Sequence, residues 1–151
     1  MDQRIDYRRA APEGVAALNA VSAYNAKNVE AKLRALVELR VSQINGCAYC
    51  LNLHTQEARH IGEDQQRLDV LSAWRETTFF SEKEKAALAW AEAVTQLGPH
   101  GVAADVFEAL KPHFTEREIV DLTLVIATMN AWNRISIGFG ATPPLRHTAS
   151  A

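Results

Sequence analysis

The stretch that decides the fold and the chemistry spans residues 42–54 and reads Ser-Gln-Ile-Asn-Gly-Cys-Ala-Tyr-Cys-Leu-Asn-Leu-His. It contains the only two cysteines of the 151 residues, Cys47 and Cys50, and His54 follows four residues after the second. An Asn-Gly pair, which breaks helices, stands just before Cys47. Apolar residues recur with helical spacing over 48–61, so Cys47 is expected near a helix N-terminus and Cys50 in its first turn. Residues three and four apart share a helix face, so both thiols and His54 are predicted to line one side of this helix.

This arrangement is typical of an activated thiol. A free cysteine has a pKa of about 8.5, and helix N-termini, nearby cations and C-x-x-C motifs lower it to roughly 3.5–7.5. The thiolate is the nucleophile, and a second thiol three residues away can resolve the oxidised first one as a disulfide. His54, one turn further on, can accept or relay the proton.

Composition excludes several classes of protein. Hydrophobic residues make up 48% of the chain and charged residues 23%, which is ordinary for a soluble globular domain. The net charge of −2 gives no electrostatic case for binding nucleic acid or an anionic membrane. The N-terminus has no apolar signal segment, and no apolar run is long enough for a membrane span. We therefore expect a cytoplasmic protein, in which a cysteine pair is more often catalytic or metal-binding than structural.

The remaining pattern predicts a single all-α domain over 15–138, between an irregular arm at 1–14 and a loose tail at 139–151. Two capping boxes, Ser81 with Glu84 and Thr115 with Glu118, mark helix starts. The pair Phe79-Phe80 looks exposed in a connector, and it is also a candidate for packing in the core or at a subunit contact. Helices are predicted over 15–26, 29–42, 48–61, 64–74, 81–97, 102–110 and 116–137. The last is apolar nearly all round, which indicates a central, buried helix.

Residues 39–50 followed by His54 resemble the carboxymuconolactone decarboxylase-like superfamily, and within it the alkylhydroperoxidase D (AhpD) branch. That branch carries C-x-x-C-x-x-x-H behind an S-x-x-N-G lead, as this sequence does. The resemblance implies an AhpD-like fold of six to seven helices whose subunits form homotrimers or homohexamers. It also implies a thiol peroxidase that reduces hydroperoxides, binds no cofactor and is recycled by an external dithiol donor, possibly of the lipoyl type.

By the same resemblance, Cys50 is the peroxidatic thiol, Cys47 the resolving thiol and His54 part of a proton relay. The sequence departs from the family pattern at two positions. The namesake enzymes have a glutamate twelve residues before the first cysteine, where this chain has Ala35, and a histidine just before the second, where it has Tyr49. Glu38 lies one turn beyond Ala35 on the same helix face and is the candidate replacement carboxylate.

Four alternatives stand beside this interpretation. The cysteines could be small buried core residues, although two such residues rarely fall in this spacing beside a histidine. A structural zinc site is disfavoured, because it needs four ligands and only three are local. The protein could be a decarboxylase or isomerase of a small lactone acid, chemistry that does not need a cysteine pair. It could also be a redox-sensing oligomer without turnover.

Overall fold

The structure, a computed structural model, describes residues 3–145. This part of the chain is helical and contains no β-strand, which confirms the predicted all-α class. No helix in the same range is long and apolar enough to cross a membrane. The α-helices are α1 (Tyr7–Ala10), α2 (Pro12–Asn28), α3 (Ala31–Asn45), α4 (Ala48–His60), α5 (Gln65–Asp69), α6 (Glu82–Thr95), α7 (Ala104–Glu108) and α8 (Glu116–Phe139), and a 3-10 helix spans Leu71–Glu76.

Helix α3 lies at the centre of the fold and packs against α4, α6 and α8. Its side chains enter two hydrophobic clusters. Val37 and Val41 belong to one cluster, which includes both cysteines and apolar side chains of α6 and α8. Leu36 belongs to the other, which α3 forms with residues of α4, α5, the 3-10 helix and α6. The cysteine segment is therefore anchored directly to the core around α3.

Helix α8 is central, but it is not buried on every side. It begins at the predicted capping box, in which Thr115 and Glu118 each bond the other's backbone N–H. Leu122 and Ile126 are buried, whereas Val120 and Ile137 are 58% and 48% exposed. The prediction of a helix buried all round is thus wrong for one face, because an apolar run shows helix type without showing how many neighbours surround it.

The irregular arm predicted at 1–14 is wrong where the structure describes it, because α1 and the start of α2 lie within it. Pro12 opens α2 at a position where its missing N–H costs nothing and its fixed φ suits a helix. The N–H of Arg4 donates to the carbonyl of Phe139 at 2.8 Å, and the Tyr7 ring stacks on Phe139. The arm is therefore tied to the end of α8. The predicted tail is non-helical at 140–145, and its remainder, 146–151, lies outside the described residues.

Three further local predictions need correction. The helix predicted over 64–74 is split, since the chain tightens into the 3-10 helix after Val70. Buried side chains three residues apart, such as Leu71 and Trp74, align on a 3-10 helix better than on an α-helix. The helix predicted over 102–110 is confined to α7. Phe79 is exposed as expected, but Phe80 is buried, with the Arg67 guanidinium 4.9 Å above its ring.

Candidate active site

The site begins at the tight turn between α3 and α4. Gly46 ends α3 in the left-handed conformation, with φ of 69°, which glycine adopts without a steric penalty. The N–H of Cys47 then donates to the carbonyl of Ser42 at 3.1 Å. Cys47 is the N-cap of α4, and its sulfur accepts the N–H of Cys50 at 3.3 Å. Both cysteines thus stand where the sequence predicts them, at the N-terminus of one helix.

A largely buried network of polar side chains from α3 and α8 stabilises this turn. The side-chain amide of Asn45 donates to the amide oxygens of Asn130 and Asn133, both at 2.9 Å. Asn133 is fully buried and donates in turn to the hydroxyl of Ser42 at 3.1 Å. These bonds join the end of α3 to the middle of α8, so α8 holds the backbone that carries Cys47.

The two sulfurs are bonded to each other, but they do not have the same surroundings. Cys47 and Cys50 form a disulfide with their Cα atoms 5.3 Å apart. Both residues are almost wholly buried. Both belong to the same hydrophobic cluster, but only Cys50 also lines a cavity of about 250 Å³. A small molecule in the cavity would therefore meet Cys50 first.

His54 stands one turn after Cys50 and lines the same cavity. Its Nδ1 lies 2.8 Å from Oε2 of Glu57 and 3.4 Å from Oε2 of Glu38. Two carboxylates at Nδ1 favour a proton on that nitrogen, which leaves Nε2 as the basic nitrogen. The candidate relay thus joins side chains of two different helices, α3 and α4.

The two carboxyl groups of this cluster are tuned in opposite directions. Burial raises the pKa of Glu38 above its ordinary value of 4.5, although His54 and Arg34 act in the lowering direction. The hydrogen bond from His54 lowers the pKa of Glu57, whose side chain is 52% exposed. A buried carboxyl with a raised pKa is the better proton acceptor near neutral pH. Ala35, where the family glutamate would stand, is packed in the second core cluster.

The cavity walls come from four helices and from the N-terminal arm. Tyr49, which replaces the family histidine, is part of the wall, as is Tyr7 of α1. Asn25 of α2 is buried, and its amide donates to the hydroxyl of Thr128 at 3.3 Å. Its Oδ1 has no hydrogen-bond partner within the described range. The apolar part of the wall is formed by Tyr7, Tyr49, Leu53, Val125, Met129 and Trp132.

The structure brings all four predicted site residues into one region, with Cys50, His54 and Glu38 on the cavity and Cys47 behind. The sequence analysis did not assign Glu57 or Arg34 to the site, although their spacing from His54 and Glu38 could have indicated them. Glu57 follows His54 by three residues, and Arg34 precedes Glu38 by four, so each pair shares a helix face.

The cluster of Glu38, His54 and Glu57 has the residue types of a metal site. Ligand-type atoms of Glu38, His54 and Glu57 lie within 4.8 Å of one another, and residues 3–145 contain no other group of this kind. Glu38 is already held by Arg34, and Glu57 by His54. Two of these three candidate ligands therefore already have protein partners.

Comparison with known proteins identifies the family. The sequence profile of the carboxymuconolactone decarboxylase family matches residues 9–93. The uncharacterized protein YdfG of Bacillus subtilis (strain 168) is 40% identical over 141 residues, which are 93% of this chain and 96% of YdfG. The chain belongs to the carboxymuconolactone decarboxylase family.

One solved structure places it among the AhpD-like members of that family, and a second shares its fold. A protein of unknown function from Agrobacterium tumefaciens, described as a candidate antioxidant defence protein AhpD, superposes with a TM-score of 0.92 at 40% identity and covers 96% of this chain and 100% of its own. A peroxidase-related protein with an AhpD core from Ralstonia eutropha superposes with a TM-score of 0.79 at 22% identity, covering 91% of this chain and 74% of its own. The second likeness shows the fold alone. Together with the family match, these similarities confirm the resemblance that the C-x-x-C-x-x-x-H motif indicates.

Proposed function

We propose that this protein is a thiol peroxidase that reduces organic hydroperoxides. One observation carries the proposal: Cys50 lines a cavity together with His54 and Glu38, while Cys47 stands within disulfide reach behind it. An attackable sulfur, a base beside it and a resolving thiol are the three groups that such chemistry requires.

In the first half of the cycle, His54 accepts the proton of the Cys50 thiol, with Glu38 and Glu57 stabilising the imidazolium. The thiolate attacks the terminal oxygen of the hydroperoxide and breaks the O–O bond. The sulfur is oxidised to a sulfenic acid, and the leaving alkoxide takes the proton from His54 to become an alcohol. The thiol of Cys47 then condenses with the sulfenic acid, which forms the disulfide and releases water.

In the second half, a dithiol donor of the lipoyl type returns the enzyme to its starting state. One donor thiolate attacks the disulfide sulfur, and the second donor thiolate resolves the mixed disulfide. The donor leaves as a cyclic disulfide, and Cys47 and Cys50 are returned to thiols. Two electrons and two protons thus pass from the donor to the enzyme. The position of Cys50 on the cavity supports attack at its sulfur, with Cys47 as the leaving thiolate at the helix N-terminus.

A matched pair of cysteine variants tests the assignment. The reduced protein is mixed with an organic hydroperoxide and dihydrolipoamide, and peroxide consumption is followed. Cys50→Ser should reduce turnover to background, whereas Cys47→Ser should react once and leave a sulfenic acid that dimedone traps for mass spectrometry. A wild-type protein with a fully reduced pair and no turnover would remove the proposal. If Cys47→Ser is inert and Cys50→Ser is trapped, the two roles are reversed.

The family name favours one other activity, a lyase or isomerase acting on a small lactone acid. The relay of Glu38 and His54 offers an acid and a base for such a reaction, which needs no thiol. Turnover of a muconolactone by the Cys47→Ala, Cys50→Ala double variant would establish this alternative, and loss of all activity in that variant would favour the peroxidase.

The homo-oligomer predicted from the resemblance is part of the same proposal. Val120 and Ile137 on α8 are exposed, and Leu124 is 36% exposed. Apolar surface of this kind is commonly covered when copies of a chain associate. Light scattering of the purified protein measures whether the particle contains one, three or six chains.

A further inference from the structure

Arg34 has no role in the peroxidase cycle proposed above, although it lies beside Glu38. It lies on α3 one turn before Glu38, and its Nη1 is 3.3 Å from both carboxylate oxygens of that residue. Its side chain is 23% exposed, and it lines the cavity that contains Cys50. Its Nε is buried without a hydrogen-bond partner in the described part of the chain. Leaving a guanidinium N–H unpaired in the interior is unfavourable. The contact with Glu38 offsets this cost and keeps the guanidinium at a position where its Nε cannot reach solvent.

Few other charges act on Glu38. Helix α4 contributes His54 and Glu57, the latter a carboxylate that repels Glu38. The same helix places Arg59 and His60 on a second cavity that Glu38 also lines, and neither is in ion-pair contact with Glu38. Helix α1 contributes Arg8 to the cavity that contains Cys50, while the lining residues of that cavity from α2 and α8 are uncharged. Within residues 3–145, Arg34 is the only permanently charged cation in ion-pair contact with Glu38.

We propose that Arg34 is a positioning residue that holds Glu38 ionised and aimed at His54, so that His54 can accept the proton of Cys50. The inference rests on the proposed peroxidase function, since it concerns the base of that reaction. Arg34 acts through Glu38 and need not touch the peroxide itself.

The sign of the effect follows from the electrostatics. Burial raises the pKa of Glu38, and Arg34 opposes that rise through its charge and its hydrogen bond. Loss of an opposite charge in contact with a carboxyl strengthens its proton binding by about tenfold or more. Removing Arg34 therefore protonates Glu38 over a wider acid range and moves the acid limb of the activity profile to higher pH. A role in folding alone would instead lower activity equally at every pH.

Arg34→Gln is compared with Arg34→Lys, which keeps the charge, and with Lys32→Gln, an equal charge change at an exposed residue of the same helix. Two quantities are measured against pH: kcat/KM for the hydroperoxide, and the rate at which iodoacetamide alkylates Cys50 in the reduced protein. We expect Arg34→Gln to lose about tenfold on the acid limb and little on the alkaline plateau. Arg34→Lys should recover part of the loss, and Lys32→Gln should match the wild type.

A profile of unchanged shape in Arg34→Gln, or an equal displacement in Lys32→Gln, would overturn the inference. A second comparison tests whether Arg34 acts through Glu38: in a Glu38→Gln background, Arg34→Gln should cause no further displacement, and a full displacement there would also overturn it. Alkylation needs no peroxide. A wild type that reduces no hydroperoxide but loses its alkylation profile with Arg34 would therefore reject the peroxidase and retain the positioning role.

Discussion

Asn133 provides the sharpest test of how the fold positions the cysteines. Its side chain is fully buried, accepts from Asn45 at 2.9 Å and donates to Ser42 at 3.1 Å. In Asn133→Ala, Asn45 keeps its bond to Asn130, but the Ser42 hydroxyl loses this donor and a small cavity remains. The lost bond from Asn45 costs about 1 kcal/mol, and the Ser42 hydroxyl left unpaired in the interior costs about 1–3 kcal/mol. We expect the free energy of unfolding to fall by about 2–4 kcal/mol.

The assay is urea unfolding followed by circular dichroism, with Asn52→Ala as the control. Asn52 stands in α4 outside the network, and its replacement should change stability by less than about 0.5 kcal/mol. Ser42→Ala should cost about 1–3 kcal/mol, because it removes one acceptor and leaves the side-chain amide of Asn133 unpaired. The Ser42→Ala, Asn133→Ala double variant should cost less than the sum, since the two residues share a bond. An Asn133→Ala protein within about 0.5 kcal/mol of the parent would refute the idea that this network holds the turn.

Two further perturbations follow from backbone and charge. Gly46→Ala should lower the free energy of unfolding by about 1 kcal/mol, because φ is 69° there and no neighbouring atom adds a clash. Gly14→Ala inside α2 should raise it by about 0.5–1 kcal/mol. Equal effects of the two substitutions in thermal unfolding would contradict the backbone argument. Because the folded pKa of Glu38 lies above 4.5, its ionisation costs stability as pH rises, and that cost is absent below the unfolded pKa. The free energy of unfolding of Glu38→Gln, measured in urea, should therefore equal that of the wild type near pH 4 and exceed it at pH 8. A variant less stable than the wild type at pH 8 would show that the ionised Glu38 does not destabilise the fold.

Much of the local structure was predictable because its causes are local. The breaker at Gly46 and the capping boxes at Ser81 and Thr115 depend on neighbouring residues only, and each lies where the sequence predicts. The errors concern features that depend on distant contacts. Phe80 is buried under a guanidinium thirteen residues earlier in the chain, and the arm is ordered by Phe139 at the far end.

The same division runs through the candidate site. Spacing alone put both thiols and His54 at the start of one helix, because a helix repeats every three to four residues. Spacing could not say that Cys50 lines a cavity while Cys47 is enclosed by the core. Nor could it say that Glu38, sixteen residues before His54, meets that imidazole.

The sequence by itself determined the helical class, the cysteine pair at a helix N-terminus and the set of residues that share each helix face. Only the tertiary structure decided which face of α3 meets α4, which cysteine lines the cavity and which carboxylates meet His54. The physical reason is that helix periodicity is set by the backbone within a single segment. The contact between two helices is set instead by how all the apolar faces pack together, and no short stretch of sequence contains that information.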